Sequence, residues 1–128
     1  MDKQTYNDLS HEILDASIFV PRELGPGLLE SVYELCLAKE LHLRGIKSQR
    51  QVFLPLFYRG EELSKDFRID ILVEEEIVIE IKVVETLLAV HEAQIISYLK
   101  LAEKKLGFLI NFNVPLLKNG FRRFVNNF

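Results

Sequence analysis

Asp70 is followed ten positions later by Glu80, and Glu80-Ile81-Lys82 sets an ammonium two residues beyond that second acid. All three charges lie in segments that otherwise read as buried strand: Phe67-Arg68-Ile69-Asp70-Ile71-Leu72-Val73 and Ile77-Val78-Ile79-Glu80-Ile81-Lys82-Val83-Val84. Glu74-Glu75-Glu76 between them reads as a solvated turn, so the two strands form a hairpin. Side chains alternate faces along a strand. Glu80 and Lys82 therefore share one face, Ile79, Ile81 and Val83 take the other, and Asp70 lies beside the charged pair across the hairpin. An unpaired charge in a low-dielectric sheet costs several kcal/mol, roughly, and two gathered carboxylates call for a shared cation, most naturally a divalent metal. The plain alternative is a cross-strand salt bridge on a solvated face, which contributes little. The apolar Val78 and Val84 on that same face weigh against it.

These residues need a scaffold, and the hydropathy pattern supplies one. Leu9, Ile13, Ala16 and Val20 recur at helical spacing from about Thr5 to Phe19, with Thr5-x-x-Asp8 as a capping box. Pro21 and Gly25-Pro26-Gly27 break the chain, and a second helix runs from Leu28 to Arg44 and stops at Gly45. Gln49–Tyr58 reads as a strand that Pro55 confines to a sheet edge, and Arg59-Gly60 turns toward the Asp70 strand. A third helix is expected from Glu85 or Thr86 to Leu106, ended by Gly107, followed by a strand at Phe108–Phe112 and a terminal strand within Phe121–Phe128. The order helix, helix, three strands, helix, strand, strand describes an α/β layer structure around a mixed sheet with the Glu80 strand central.

Two helices bring further candidates. Gln94 and Tyr98 stand four residues apart on one face of the third helix, with His91 a turn earlier; they either line a site or are a surface amide, a core aromatic and a solvated imidazole. Glu30 falls in the first turn of the second helix, where the helix dipole favours an acid in any case. It shares a face with Tyr33, three residues on, and is a third carboxylate if this helix packs against the charged face of the sheet.

Gly27-x-x-Glu30-x-x-Tyr33 resembles the signature of the GxxExxY proteins, and Asp70, Glu80-x-Lys82 and Gln94-x-x-x-Tyr98 resemble the core motifs of the PD-(D/E)XK nuclease-like superfamily. The resemblance runs from about Leu9 to Phe128. It implies a restriction-endonuclease-like αβββαβ core with the first helix as an addition, and a metal-dependent nuclease acting on DNA or RNA. In that reading Asp70, Glu80 and the carbonyl of Ile81 hold Mg2+ or Mn2+, Glu30 binds a second ion or holds a metal-bound water, Lys82 stabilises charge, and Gln94, Tyr98 and Tyr33 bind substrate or support the site. Ile69 stands where the superfamily motif names a proline. The rival reading is a nuclease-like module that binds nucleic acid or a partner protein without significant catalysis; a third is a structural domain whose charges merely pair.

The totals set limits on these readings. At 128 residues and 48% hydrophobic, the chain is expected to form one domain over residues 1–128. A formal net charge of -3 gives no general attraction to a polyanion, so phosphate contacts must come from a bound metal or from local basic groups such as Arg44, Lys47 and Arg50, Lys100, Lys104 and Lys105, or Lys118, Arg122 and Arg123. Cys36 is the only cysteine, which excludes an internal disulfide and a multi-thiolate zinc site and points to a reducing compartment, the cytoplasm. No apolar run approaches the roughly 18 residues of a membrane span. The aromatic tail, Phe121, Phe124 and Phe128, is read either as closing the core or as joining a second copy, with a homodimer favoured.

Overall fold

The computed structural model describes residues 1–128, apart from the side chain of Lys65. Helices α1 (Lys3–Leu24) and α2 (Glu30–Leu43) precede strands β1 (Ser48–Tyr58), β2 (Glu61–Val73) and β3 (Ile77–Lys82). Helix α3 (Ala89–Ala102) then leads to β4 (Leu106–Asn111), and a 3-10 turn at Leu117–Gly120 leads to β5 (Phe121–Val125). The strands form one five-stranded sheet in the order β1-β2-β3-β4-β5. Only β3 and β4 run parallel. A parallel pair needs a crossover, and α3 provides it.

The elements α2, β1, β2, β3, α3 and β4 make the expected αβββαβ core, with α1 as the addition and β3 at the centre. Pro55 lies on the edge strand β1, at a register irregularity between Leu54 and Leu56 where it has no partner on β2. The core lies on both faces of the sheet. Ile71, Val73, Ile77, Ile79 and Ile81 pack with Ile13, Leu37 and Leu41 of α1 and α2 on one side. Ile69, Leu72, Val78 and Leu109 pack with Ile95 and Leu99 of α3 on the other. Strand β3 is buried from Ile77 to Ile81 and β4 throughout, which explains why their residues are apolar apart from Glu80 and Asn111.

Several boundaries differ from the sequence reading. Asp2, not a Thr5–Asp8 box, caps α1 by accepting the Thr5 N–H at 2.8 Å. Pro21 lies inside α1, which continues to Leu24 because buried Ile13, Ala16 and Val20 anchor it; Gly25, at φ +81, ends it. Val83 and Val84 fall outside β3. Buried Asn111 captures both backbone groups of Val84, accepting its N–H at 3.1 Å and donating to its carbonyl at 2.8 Å. Helix α3 accordingly starts only at Ala89 and ends at Glu103, whose left-handed backbone forms the cap. Gly107 does not stop it. This glycine is in β4, where a Cβ would come within 3.1 Å of Ile95 and Leu99 and 3.2 Å of the Val78 carbonyl, so its absence lets α3 lie close on the sheet.

The aromatic tail closes the core of its own chain. Phe121 stacks on Phe108 at 4.8 Å, Phe128 meets Tyr6 edge-on at 5.3 Å, and Phe124 packs against the α3-side cluster. This intramolecular packing removes the ground for expecting a homodimer.

Candidate active site

The last registered pair of the β2–β3 ladder is Ile71 with Ile79, and beyond it the strands part. Asp70 occupies the gap with its side chain: Oδ2 accepts the Ile81 N–H at 2.8 Å. Glu80 stands next to it, 3% exposed, with its carboxyl within hydrogen-bonding reach of Asp70. Its Oε1 is buried without a hydrogen-bond partner. Burial first, and then the Asp70 charge, push the Glu80 carboxyl well above its ordinary 4.5, and Lys82 only partly opposes them. A buried carboxylate oxygen with no donor, beside a second carboxylate and the exposed end of a strand, fits a hard divalent cation that takes oxygen ligands.

Asp70 reaches Glu80 through a local inversion of the strand pattern. Ile71 packs on the α1/α2 side and Leu72 on the α3 side, as alternation requires, yet Ile69 rejoins Leu72 instead of Ile71. The neighbouring strand does the same. Arg50, partner of Ile71, turns toward α2, whereas Val52, partner of Ile69, packs on the α3 side. Between them Gln51 has φ +53, the left-handed region that a non-glycine residue seldom adopts in a strand. Bulges and kinks next to sites commonly re-aim a side chain, and this one places Asp70 among groups from α2 as well as β3.

Helix α2 supplies Glu30 and Glu34. The Glu30 carboxyl is raised mainly by burial, with Lys82 lowering it and Asp70 and Glu34 raising it, so it lies in the field of the strand charges. Glu34, 4% exposed, is held by both Nε and Nη2 of Arg50 at 3.0 and 2.7 Å and by Gln51 Nε2 at 2.8 Å. Its carboxyl is raised by burial and by Asp70, against the lowering bonds of Arg50 and Gln51. Glu30, Glu34, Arg50, Gln51, Arg68 and Asp70 line an open cleft of about 540 Å³. Among the described residues no three Asp, Glu, His or Cys side chains form a metal-binding group. The expected ring of three acids is therefore a close pair, Asp70 and Glu80, bordered by Glu30.

Tyr33 turns away from the cleft into the core. It stacks flat on Phe112 at 4.8 Å, donates its hydroxyl proton to the Gly25 carbonyl at 2.8 Å, and so fixes the loop that launches Glu30. On α3, Gln94 Nε2 donates to the Tyr98 hydroxyl at 3.3 Å. The Tyr98 hydroxyl is raised by burial and then by Glu80, so it lies in the field of the strand carboxylates. His91 caps α3, its Nδ1 accepting the Leu88 N–H at 3.0 Å.

The sequence reading brought Asp70, Glu80, Lys82 and Ile81 together on adjoining strands, and the fold does so, with Glu30 and Tyr98 in electrostatic contact. Glu34 and Gln51 escaped it. The signal for Glu34 was its position one helical turn after Glu30; the kink at Gln51 left no trace in the residue pattern. A family model described as PD-(D/E)XK nuclease superfamily matches residues 7–124. No curated protein and no solved structure matched the chain.

Proposed function

Since the chain belongs to the PD-(D/E)XK nuclease superfamily, we propose that it hydrolyses phosphodiester bonds of DNA or RNA with Mg2+ or Mn2+ held by Asp70, Glu80 and the carbonyl oxygen of Ile81. The fold is of the restriction-endonuclease-like α/β class. Within the superfamily, Gly27, Glu30 and Tyr33 support a narrower placement among the GxxExxY proteins. Residues 1–128 then act as one catalytic domain in a reducing, cytoplasmic setting, in repair or in defence against foreign nucleic acid.

The buried, partnerless Oε1 of Glu80 carries this reading. A carboxylate oxygen that folding strips of both water and hydrogen bonds is expensive unless a cation or a proton joins it. A bound divalent ion supplies neutralisation of phosphoryl oxygens and a more acidic water. The residues around it do the rest. Ile81 N–H fixes the Asp70 carboxylate, Lys82 acts electrostatically on both Glu30 and Glu80, and Tyr98, whose hydroxyl accepts from Gln94 and is raised by burial and Glu80, has its own proton to donate to a phosphate oxygen. Glu30 borders the cleft where a water or second cation is accommodated, and Tyr33 supports it from beneath.

Purified protein incubated with Mg2+ or Mn2+ and a panel of single- and double-stranded DNA and RNA is expected to cleave at least one substrate, with EDTA abolishing cleavage. Asp70→Ala and Glu80→Ala are expected to lower the rate by ~100-fold or more, as loss of a preorganised charge-stabilising group does. Intact substrates throughout, or full activity in both variants, would refute the proposal.

A further inference from the structure

The paired distortion at Gln51 and Asp70 carries backbone strain that the strand register does not demand. Register is continuous on either side of it, Arg50 with Ile71 and Val52 with Ile69, so no inserted residue forces it. Gln51 nevertheless takes φ +53 in mid-strand. Where the backbone must adopt that conformation, Gly, Asn or Asp is the usual choice, so a glutamine in mid-strand calls for a use of its length. Here it is used. One Nε2 reaches Glu34 Oε1 at 2.8 Å and Asp70 Oδ1 at 3.4 Å. Both acceptors are carboxylate oxygens, so the amide must present its NH2 to them and its orientation follows from the chemistry. Two Arg50 N–H groups also hold Glu34 through Oε2, so its place does not rest on Gln51 alone, although Gln51 is the donor on Oε1.

Each Asp70 oxygen thus has its own donor, the Ile81 N–H on Oδ2 and the Gln51 amide on Oδ1. We propose that Gln51 is a positioning residue of this site: anchored on the Glu34–Arg50 ion pair, its amide orients the Asp70 carboxylate toward Glu80, so that the two acids are preset for a divalent cation. The strained backbone is what brings the amide within reach, a use of local strain that recurs at functional sites. The inference rests on the nuclease reading of Asp70 and Glu80 and adds the group that sets their geometry.

Two variants separate positioning from folding. Gln51→Gly removes the backbone strain together with the amide, and Gln51→Asn suits the left-handed backbone while being one methylene too short to span both carboxylates. Gln51→Asn, whose shorter amide still serves Glu34, is expected to melt near the wild-type temperature in EDTA, whereas Gln51→Gly trades the relieved strain against the donor that Glu34 Oε1 loses. Both are expected to bind Mn2+, measured by calorimetry, about 10–100-fold more weakly, the loss typical of residues that orient metal ligands, with kcat falling and KM for an oligonucleotide near wild type. Wild-type Mn2+ affinity and kcat in Gln51→Asn, or metal-free melting of that variant well below wild type, would overturn the inference. Asp70→Ala serves as the control. If it binds Mn2+ as tightly as wild type, the metal reading itself fails; if it loses Mn2+ while Gln51→Asn keeps it, only the role of Gln51 fails.

Discussion

The buried carboxyl of Glu80, raised well above 4.5, keeps its proton in the folded protein to a higher pH than in the unfolded chain. Below about pH 4.5 both states are protonated and Glu80 takes nothing from stability. As pH rises, the unfolded chain releases its proton first, so metal-free stability falls until the folded carboxyl ionises as well. Glu80→Gln removes that loss. In EDTA at neutral pH it is expected to raise stability by roughly 1–3 kcal/mol, the usual cost of a buried group left without its partner, while eliminating cleavage. Thermal melts of both proteins from pH 4 to 8 check this: the gap should widen with pH, and a variant less stable than wild type at neutral pH would contradict it. The residue types Asp70, Glu80 and Lys82 were legible because charged groups stood out in apolar strand runs. Glu34 was not, since an acid on a helix resembles any solvated acid until the fold buries it against Arg50.

At the scale of elements, α3 must lie close to the sheet for Tyr98 to stand beside Glu80, and Gly107 provides the clearance. Gly107→Ala would press a methyl on Ile95, Leu99 and the Val78 carbonyl, and is expected to destabilise by about 1–3 kcal/mol as overpacking does, with a fall in kcat as α3 shifts. Denaturant titration and steady-state kinetics test both parts. Tyr33→Phe removes the bond to Gly25 and is expected to cost about 1 kcal/mol, leaving kcat reduced through the loosened start of α2. Unchanged stability in either variant would show that the contact carries no load. The hairpin, the edge position of β1 and the central β3 were readable from alternation, turn residues and Pro55. The end of β3 was not, because Val83 and Val84 have strand propensity and only the distant Asn111 diverts them. Nor was the inversion at Asp70, which depends on a backbone state of Gln51 that residue type does not announce.

For the whole molecule, a net charge of -3 means that the nucleic-acid substrate proposed above would be drawn to local features, not to the protein at large. Several cations expected to meet phosphate are occupied: Arg44 with Glu12 and Glu40, Arg50 with Glu34, Arg122 with Glu92. Arg68 differs, lining the cleft beside Asp70 with its guanidinium over the exposed Phe53 ring at 4.7 Å. Arg68→Ala is expected to raise KM several-fold with kcat nearly unchanged, and to reduce the salt slope of binding by about 1, as loss of one phosphate contact does. Binding isotherms across a salt series read this directly. The central claim, that Asp70 and Glu80 share a divalent cation, is tested most directly by crystals grown with Mn2+ and an anomalous difference map. A peak bounded by the Asp70 and Glu80 carboxylates and the Ile81 carbonyl is expected, absent in Glu80→Gln crystals. A map with no peak there, or with the same peak in the variant, would contradict it.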